Sequence, residues 1–265
     1  MASKNKSALS WPFAPKEVGL NQDPSLLKLI AMIAMLMDHA GKMFFPQYNL
    51  MRIIGRLAFP IYAYCVAAGC VYSRNRFRYL SRIVLVGLVS QPFYAVALAH
   101  TTPKMYAVAF ADNPVGAVIN FYVECWATPN IMLTLALGLL LIWAIRDKQI
   151  PCAIALMLIV WKIQNSISYG WQGVALIALF YLFIRHWWLS LPVMILYMGW
   201  WGMKGGSYHM FGLSFGIQMF AILALPLIYI PTNSRVKINK WVFYLFYPGH
   251  LIGIMLIEFA MRLGK

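Results

Sequence analysis

Charge is what this 265-residue sequence has least of: 11% of its residues are Asp, Glu, Lys or Arg, and only 7 of them are acidic. Soluble domains carry roughly 25% charged residues, so a soluble globular protein is excluded. The apolar fraction is instead 62% and the mean hydropathy +0.69, the composition of a chain whose solvent is lipid. Cysteine is also scarce. Cys65, Cys70, Cys125 and Cys152 show no CxxC spacing and no partnered pattern, which indicates neither a zinc site nor a disulfide framework and leaves them as packing residues. GxxxxGK[ST], HExxH and a nucleophile elbow are absent as well, so nucleotide hydrolysis, zinc proteolysis and serine hydrolysis have no support and no metal is expected. There is no repeat at a fixed period and no matched pair of broken helices, which weakens a transporter reading. Residues 1–25 hold Lys4, Lys6 and Lys16 but no signal-peptide apolar run and no small-residue cleavage site, so this tail is expected to be retained and cytoplasmic. The net charge of +15 is explained by basic residues kept at the cytoplasmic face, without nucleic acid.

What is present is apolar sequence in lengths that suit a bilayer. At about 20 residues per span, the chain is expected to form an all-α, polytopic transmembrane bundle of about nine helices, between about eight and ten, as one domain over 26–261 with a short tail at 262–265. The apolar stretches run Leu26 to Phe45, Ile53 to Tyr72, Ile83 to Ala99, Asn130 to Ile145, Ile150 to Gln164, Trp171 to Ile184, Trp187 to Met203, Met210 to Ile230 and Trp241 to Met261. Residues 100–129 are rich in Thr, Pro, Asp, Asn and Gly and are expected to form a long outer loop. With the N-terminus inside, the lysines of the tail, Arg74, Arg76, Arg78, Arg82, Arg146, Lys148, Arg185, Arg235, Lys237 and Lys240 all fall on the cytoplasmic side. That asymmetry supports an N-in, C-out orientation.

Several polar groups lie within the apolar stretches. Asp38 and His39 sit in MIAMLMDHAGKMFFP, and ionisable side chains at that depth are costly and usually functional. His39 is about 20 Å along the helix from Leu26, beyond the midplane towards the outer face. Lys42 is four residues after Asp38, so one reading is a structural Asp38–Lys42 pair with His39 as a bystander. The other makes His39 a general base or transient acyl carrier, since imidazole titrates near operating pH; a direct Asp38–His39 dyad is disfavoured because adjacent helix residues do not face each other. Arg52 reads as snorkelling to the interface, while Arg56 either pairs with Asp38 or belongs to the site. The arginines from 74 to 82 fit the positive-inside pattern, yet Arg78 and Arg82 are also spaced to grip a phosphorylated cytoplasmic ligand. His250 follows Pro248 and Gly249 in FYPGHL, where a kinked helix would display an imidazole. Glu258 is either a buried acid or snorkels outwards, His186 and His209 read as interfacial, and Gly212 with Gly216 forms one GxxxG, taken as close helix packing.

In order, LLKLIAMIAMLMDHAGKMFFP, RIIGRLAFPIYAYCVAAG, RYLSRIVLVGLVSQPFY, NIMLTLALGLL, SYGWQGV and FYPGHL resemble the TraX family, integral membrane proteins associated with conjugative pili and similar to transmembrane acyltransferases that modify surface glycans. The resemblance covers about residues 26–255; the loop 100–129 is longer than the family pattern. It implies N-terminal acetylation of a pilin subunit in the bacterial inner membrane, with acetyl-CoA as donor. Asp38 and His39 fall on the family's first-helix DH, Arg56 on its GR-x-AFP motif and His250 on its terminal FY-x-x-HL, which implies catalytic roles. Asn130 and Tyr169 match polar positions of the middle helices. The run from Phe59 to Tyr94 resembles acyltransferase helices that are followed by arginines, which implies that Arg78 and Arg82, with neighbouring Arg76, face the donor. Two other functions fit the same residues: O-acetylation of a surface glycan or lipid hydroxyl, and a non-enzymatic transporter or pilus-assembly scaffold.

Overall fold

Asp23 and Pro24 set where the first helix begins. Proline lacks the N–H that a helix start leaves unpaired anyway, and the Asp23 carboxylate accepts the Leu26 N–H at 3.2 Å as the N-cap. The computed structural model describes residues 15–98, 111–206, 208–210 and 212–263. Residues 1–14 of the expected tail, the start of the expected outer loop with His100 and Lys104, and the last two residues lie outside the described residues.

Helix α1 (Pro24–Met43) is followed by α2 (Asn49–Gly55), α3 (Ala58–Tyr72) and α4 (Arg76–Leu98). Next come α5 (Pro114–Glu124), α6 (Ile131–Arg146), α7 (Ile150–Lys162), α8 (Gly170–Phe183) and α9 (Trp187–Gly202). A two-stranded antiparallel hairpin, β1 (Tyr208–Met210) and β2 (Leu213–Phe215), leads through a 3-10 helix (Ile217–Ala224) and the short α10 (Leu225–Tyr229) to α11 (Lys240–Leu263). The fold is therefore nearly all-α, as the composition predicts.

Among the described residues, three helical segments are long and apolar enough to cross a membrane: Asn49–Tyr72, Arg76–Leu98 and Trp241–Met261. A bent pair, Pro114–Ala127 with Ile131–Arg146 at 68°, forms a broken span or re-entrant loop. Helix α1 matches a span in length but carries Lys28, Asp38 and Lys42. The second apolar stretch lies within the spanning segment Asn49–Tyr72, with a short turn at Arg56 and Leu57 between α2 and α3. One expectation needs correction: the stretch from Met210 to Ile230 opens as a hairpin, not as a helix. Gly212 supplies its turn with φ +76°, so Gly212 and Gly216 are not a helix-packing pair.

Close approach of backbones organises the core. Between helices in lipid, apolar burial gives little drive, and packing of small residues takes over. Ala31, Ala63 and Ala67 are fully buried where α1 and α3 meet their neighbours. Helix α3 also packs on α8, α6 on α8, and α4 on both α6 and α11. Pro92 inside α4 leaves the Leu88 carbonyl without its helical donor, and the Tyr122 hydroxyl from α5 donates to it at 2.9 Å. The segment before α1 is fastened to the far end of the chain: the Asn21 side chain donates to the Leu227 carbonyl at 2.8 Å, and the Ser234 N–H donates to Asp23 Oδ2 at 2.7 Å. Those bonds bring the start of α1 beside the approach to α11, and the two helices then run together to the site.

Candidate functional site

The turn at Pro46 folds α2 back along α1, with the Tyr48 N–H bonded to the Phe45 carbonyl at 3.0 Å. Arg52 and Arg56, one helical turn apart, thereby reach Asp38. A single oxygen, Asp38 Oδ1, accepts from Arg52 Nε at 2.9 Å and from Arg56 Nη2 at 2.6 Å. The Asp38–Lys42 alternative is corrected: Lys42 Nζ donates to the Leu98 carbonyl at 2.6 Å, one of the acceptors left unpaired at the end of α4. Arg52, read from sequence as snorkelling, belongs to this network; its i,i+4 spacing to Arg56 was the available signal. The close approach depends on Gly55, where an added Cβ would stand 2.3 Å from the Asp38 Cβ and 2.6 Å from its Oδ1. Gly55→Ala is expected to destabilise the protein by about 1–3 kcal/mol, the usual cost of overpacking, as a lower midpoint of thermal unfolding in detergent; an unchanged midpoint would show that the helices can separate freely.

These groups line an internal cavity of about 230 Å³, together with His39, Tyr94, Ser168 and Tyr169. Arg56 Nε is a buried donor with no partner. Three cations and one carboxylate therefore surround the space, which suits a ligand that carries or develops negative charge. From the other side, α11 supplies His250, 8% exposed. His39 Nδ1 lies 2.9 Å from His250 Nε2, although the residues are 211 positions apart. Tyr169 adopts left-handed φ +63° at the start of α8, a conformation uncommon outside glycine. Its ring is clamped flat on Phe59 at 4.0 Å and edge-on to Trp201 at 5.9 Å.

The structure thus brings Asp38, His39, Arg56, His250 and Tyr169 to one place. Asn130 is elsewhere in role: it caps α6 by accepting the Met132 N–H at 3.0 Å, donates to the Gly87 carbonyl at 2.8 Å and does not line the cavity. Arg76, Arg78 and Arg82 do not line it either. Arg76 pairs with Asp147 and lies 5.6 Å from the Trp143 ring centre. Arg82 sits 6.0 Å over the Tyr244 ring, while Arg78 is exposed near the start of α4. A smaller cavity of about 140 Å³, lined by Lys28, Tyr79, Phe243 and Tyr244, shares Tyr62, Met132 and Leu135 with the main one. Tyr94, Ser168 and Tyr247 line the main cavity but carry no sequence signal apart from being polar within apolar stretches.

A nearly all-helical membrane protein with an arginine-held aspartate and His39 lining one cavity, and His250 bonded behind His39, is the class that this geometry defines. The chain belongs to the TraX family, whose description, TraX protein, matches residues 23–258. Over 137 residues it is 33% identical to the probable fimbrial assembly protein FimC, serogroup H1, of Dichelobacter nodosus, a match covering 50% of either chain. Over 162 residues it is 28% identical to an uncharacterised protein of Rickettsia prowazekii (strain Madrid E), covering 58% of this chain and 53% of that one. The chain therefore spans about half the length of these relatives. No solved structure matches it.

Proposed function

We propose that this protein is a membrane-embedded acetyltransferase of the bacterial inner membrane, moving an acetyl group from cytoplasmic acetyl-CoA to the N-terminal amine of a pilin subunit. The observation that carries the reading is His39, bonded to His250, in a cavity that Lys42, Arg52 and Arg56 also line. The fimbrial-assembly name of the D. nodosus relative supports pilin as the acceptor. In this reading the N-terminus is cytoplasmic, the chain makes about nine membrane passes, and the acceptor arrives from the outer side.

When bound, acetyl-CoA supplies an activated acyl carbon in its thioester. As the acceptor nitrogen bonds to that carbon, His39 takes the nitrogen's surplus proton. The Arg56 guanidinium faces the negative charge that grows on the carbonyl oxygen. When the carbon–sulfur bond breaks, His39 returns the proton to the departing thiolate, so the products are the amide and the free thiol. Arg78 and Arg82 hold the donor's phosphates at the cytoplasmic entrance, and the smaller cavity, lined by Tyr244, shares Tyr62, Met132 and Leu135 with the one that His39 lines.

Binding to the folded state alone raises its stability, by about 2.7 kcal/mol at a hundredfold excess over Kd. Acetyl-CoA is therefore expected to raise the unfolding temperature of detergent-purified protein, and the Arg78→Ala, Arg82→Ala double variant is expected to lose that shift. No shift in well-folded wild type would favour an assembly factor without catalysis, a reading that the relative's name equally suits.

A further inference from the structure

One carbonyl sets the proton positions of the histidine pair. The Phe246 carbonyl can only accept, so His250 Nδ1, 2.9 Å from it, carries a hydrogen and donates. In a neutral imidazole the other nitrogen is then bare, and His250 Nε2 offers its lone pair to His39 Nδ1. His39 Nδ1 must carry a hydrogen in its turn, which leaves His39 Nε2 bare. The two ring planes lie within 14° and their centres 5.1 Å apart, so the bond runs close to both ring planes. The His250 ring cannot easily turn away from this arrangement. Phe246 lies parallel to it at 4.9 Å, and Tyr247 meets it at 5.4 Å and 61°.

Asp38 does not orient His39. Its Oδ1 is taken by Arg52 and Arg56, and it neighbours His39 in sequence on a helix, where adjacent side chains diverge. The place that a carboxylate holds behind the histidine of a hydrolase triad is filled here by a second imidazole.

We propose that His250 is a positioning residue that locks His39 in the Nδ1–H tautomer, making His39 Nε2 the atom that accepts the proton of the substrate amine. The tautomer follows from the geometry of the neutral pair; the substrate's identity rests on the acetyl-transfer reading. The group that reacts is one nitrogen of one histidine, and the second histidine acts through it.

The chain has 5 histidines, so protein labelled with 15N at the imidazoles gives a spectrum in which His39 and His250 can be assigned by loss of their signals in H39A and H250Q. Wild type is expected to show His39 Nδ1 as the protonated nitrogen and Nε2 as the bare one. H250Q places an amide oxygen where Nε2 stood and is expected to keep that pattern. H250L is expected to lose it. Acetylation should stay within about tenfold of wild type in H250Q and fall roughly 10²-fold or more in H250L, with KM for acetyl-CoA unchanged in both. Protonated Nε2 at His39 in wild type, or an unaltered His39 pattern in folded H250L, would overturn the proposal. The wild-type spectrum decides the tautomer whether or not H250L folds. If the tautomer is as assigned and wild type still transfers no acetyl group, the positioning role stands and the acetyl-transfer reading falls.

Discussion

The proposed pilin acetylation is expected to fall by about 10²–10⁴-fold when His39 is replaced by alanine, the range in which a positioned general base contributes. The measurement is the mass of the pilin N-terminus from cells expressing the variant, with detergent-purified protein assayed in parallel for acetyl-CoA-dependent thermal stabilisation. Donor binding is expected to persist, because the arginines assigned to the donor do not line the cavity that holds His39. A modest loss of stability accompanies the change. His250 Nε2 loses its donor, and a buried acceptor left unsatisfied costs about 1–3 kcal/mol. Full acetylation at normal expression would remove His39 from the reaction and with it the mechanism. Loss of both acetylation and donor stabilisation would instead point to a disturbed fold, which the unfolding midpoint measures directly.

His39 and His250 were each legible in the sequence as polar residues in apolar helices, but their contact was not. Sequence spacing encodes neighbours within a helix, at three and four residues; it carries nothing about two side chains 211 positions apart. The same limit explains Asp38. Its local partner by spacing was Lys42, and the partner it takes is decided by the turn at Pro46, which returns α2 along α1 and delivers two arginines at once. Asn130 shows the opposite case. A polar residue matched to a family position proves to be a helix cap tied to Gly87, the commonest structural use of asparagine at a helix start. The stretch from Met210 to Ile230 reads as a span because hydropathy averages over residues and is blind to backbone sign. A glycine at φ +76° turns its first part into a hairpin, and only the part from Ile217 onward is helical.

Removing Asp38 is expected to cost more stability than any other single change in the site. Asp38→Ala leaves Arg52, Arg56 and Lys42 lining the cavity without that carboxylate, and stripping one partner from a buried pair typically costs about 3–5 kcal/mol. Arg52 is 30% exposed at its side chain and Arg56 11%, so water relieves part of the penalty and the lower end of that range, about 3 kcal/mol, is expected. The informative comparison is the triple variant Asp38→Leu, Arg52→Met, Arg56→Met. A buried ion network replaced whole by apolar side chains of similar volume is often neutral or better, so the triple variant should unfold near the wild-type temperature while the single variant does not. Acetylation is expected to stay low in both, because the triple variant lacks the Arg56 donor that the proposed mechanism sets against the developing oxyanion. Recovery of stability without recovery of activity would separate the two duties of the cluster, holding α2 against α1 and supplying charge to the reaction. A triple variant that regained acetylation would show that the cluster serves packing alone, and the oxyanion would then need its donor from the polar groups of Tyr94, Ser168 or Tyr247, which line the same cavity.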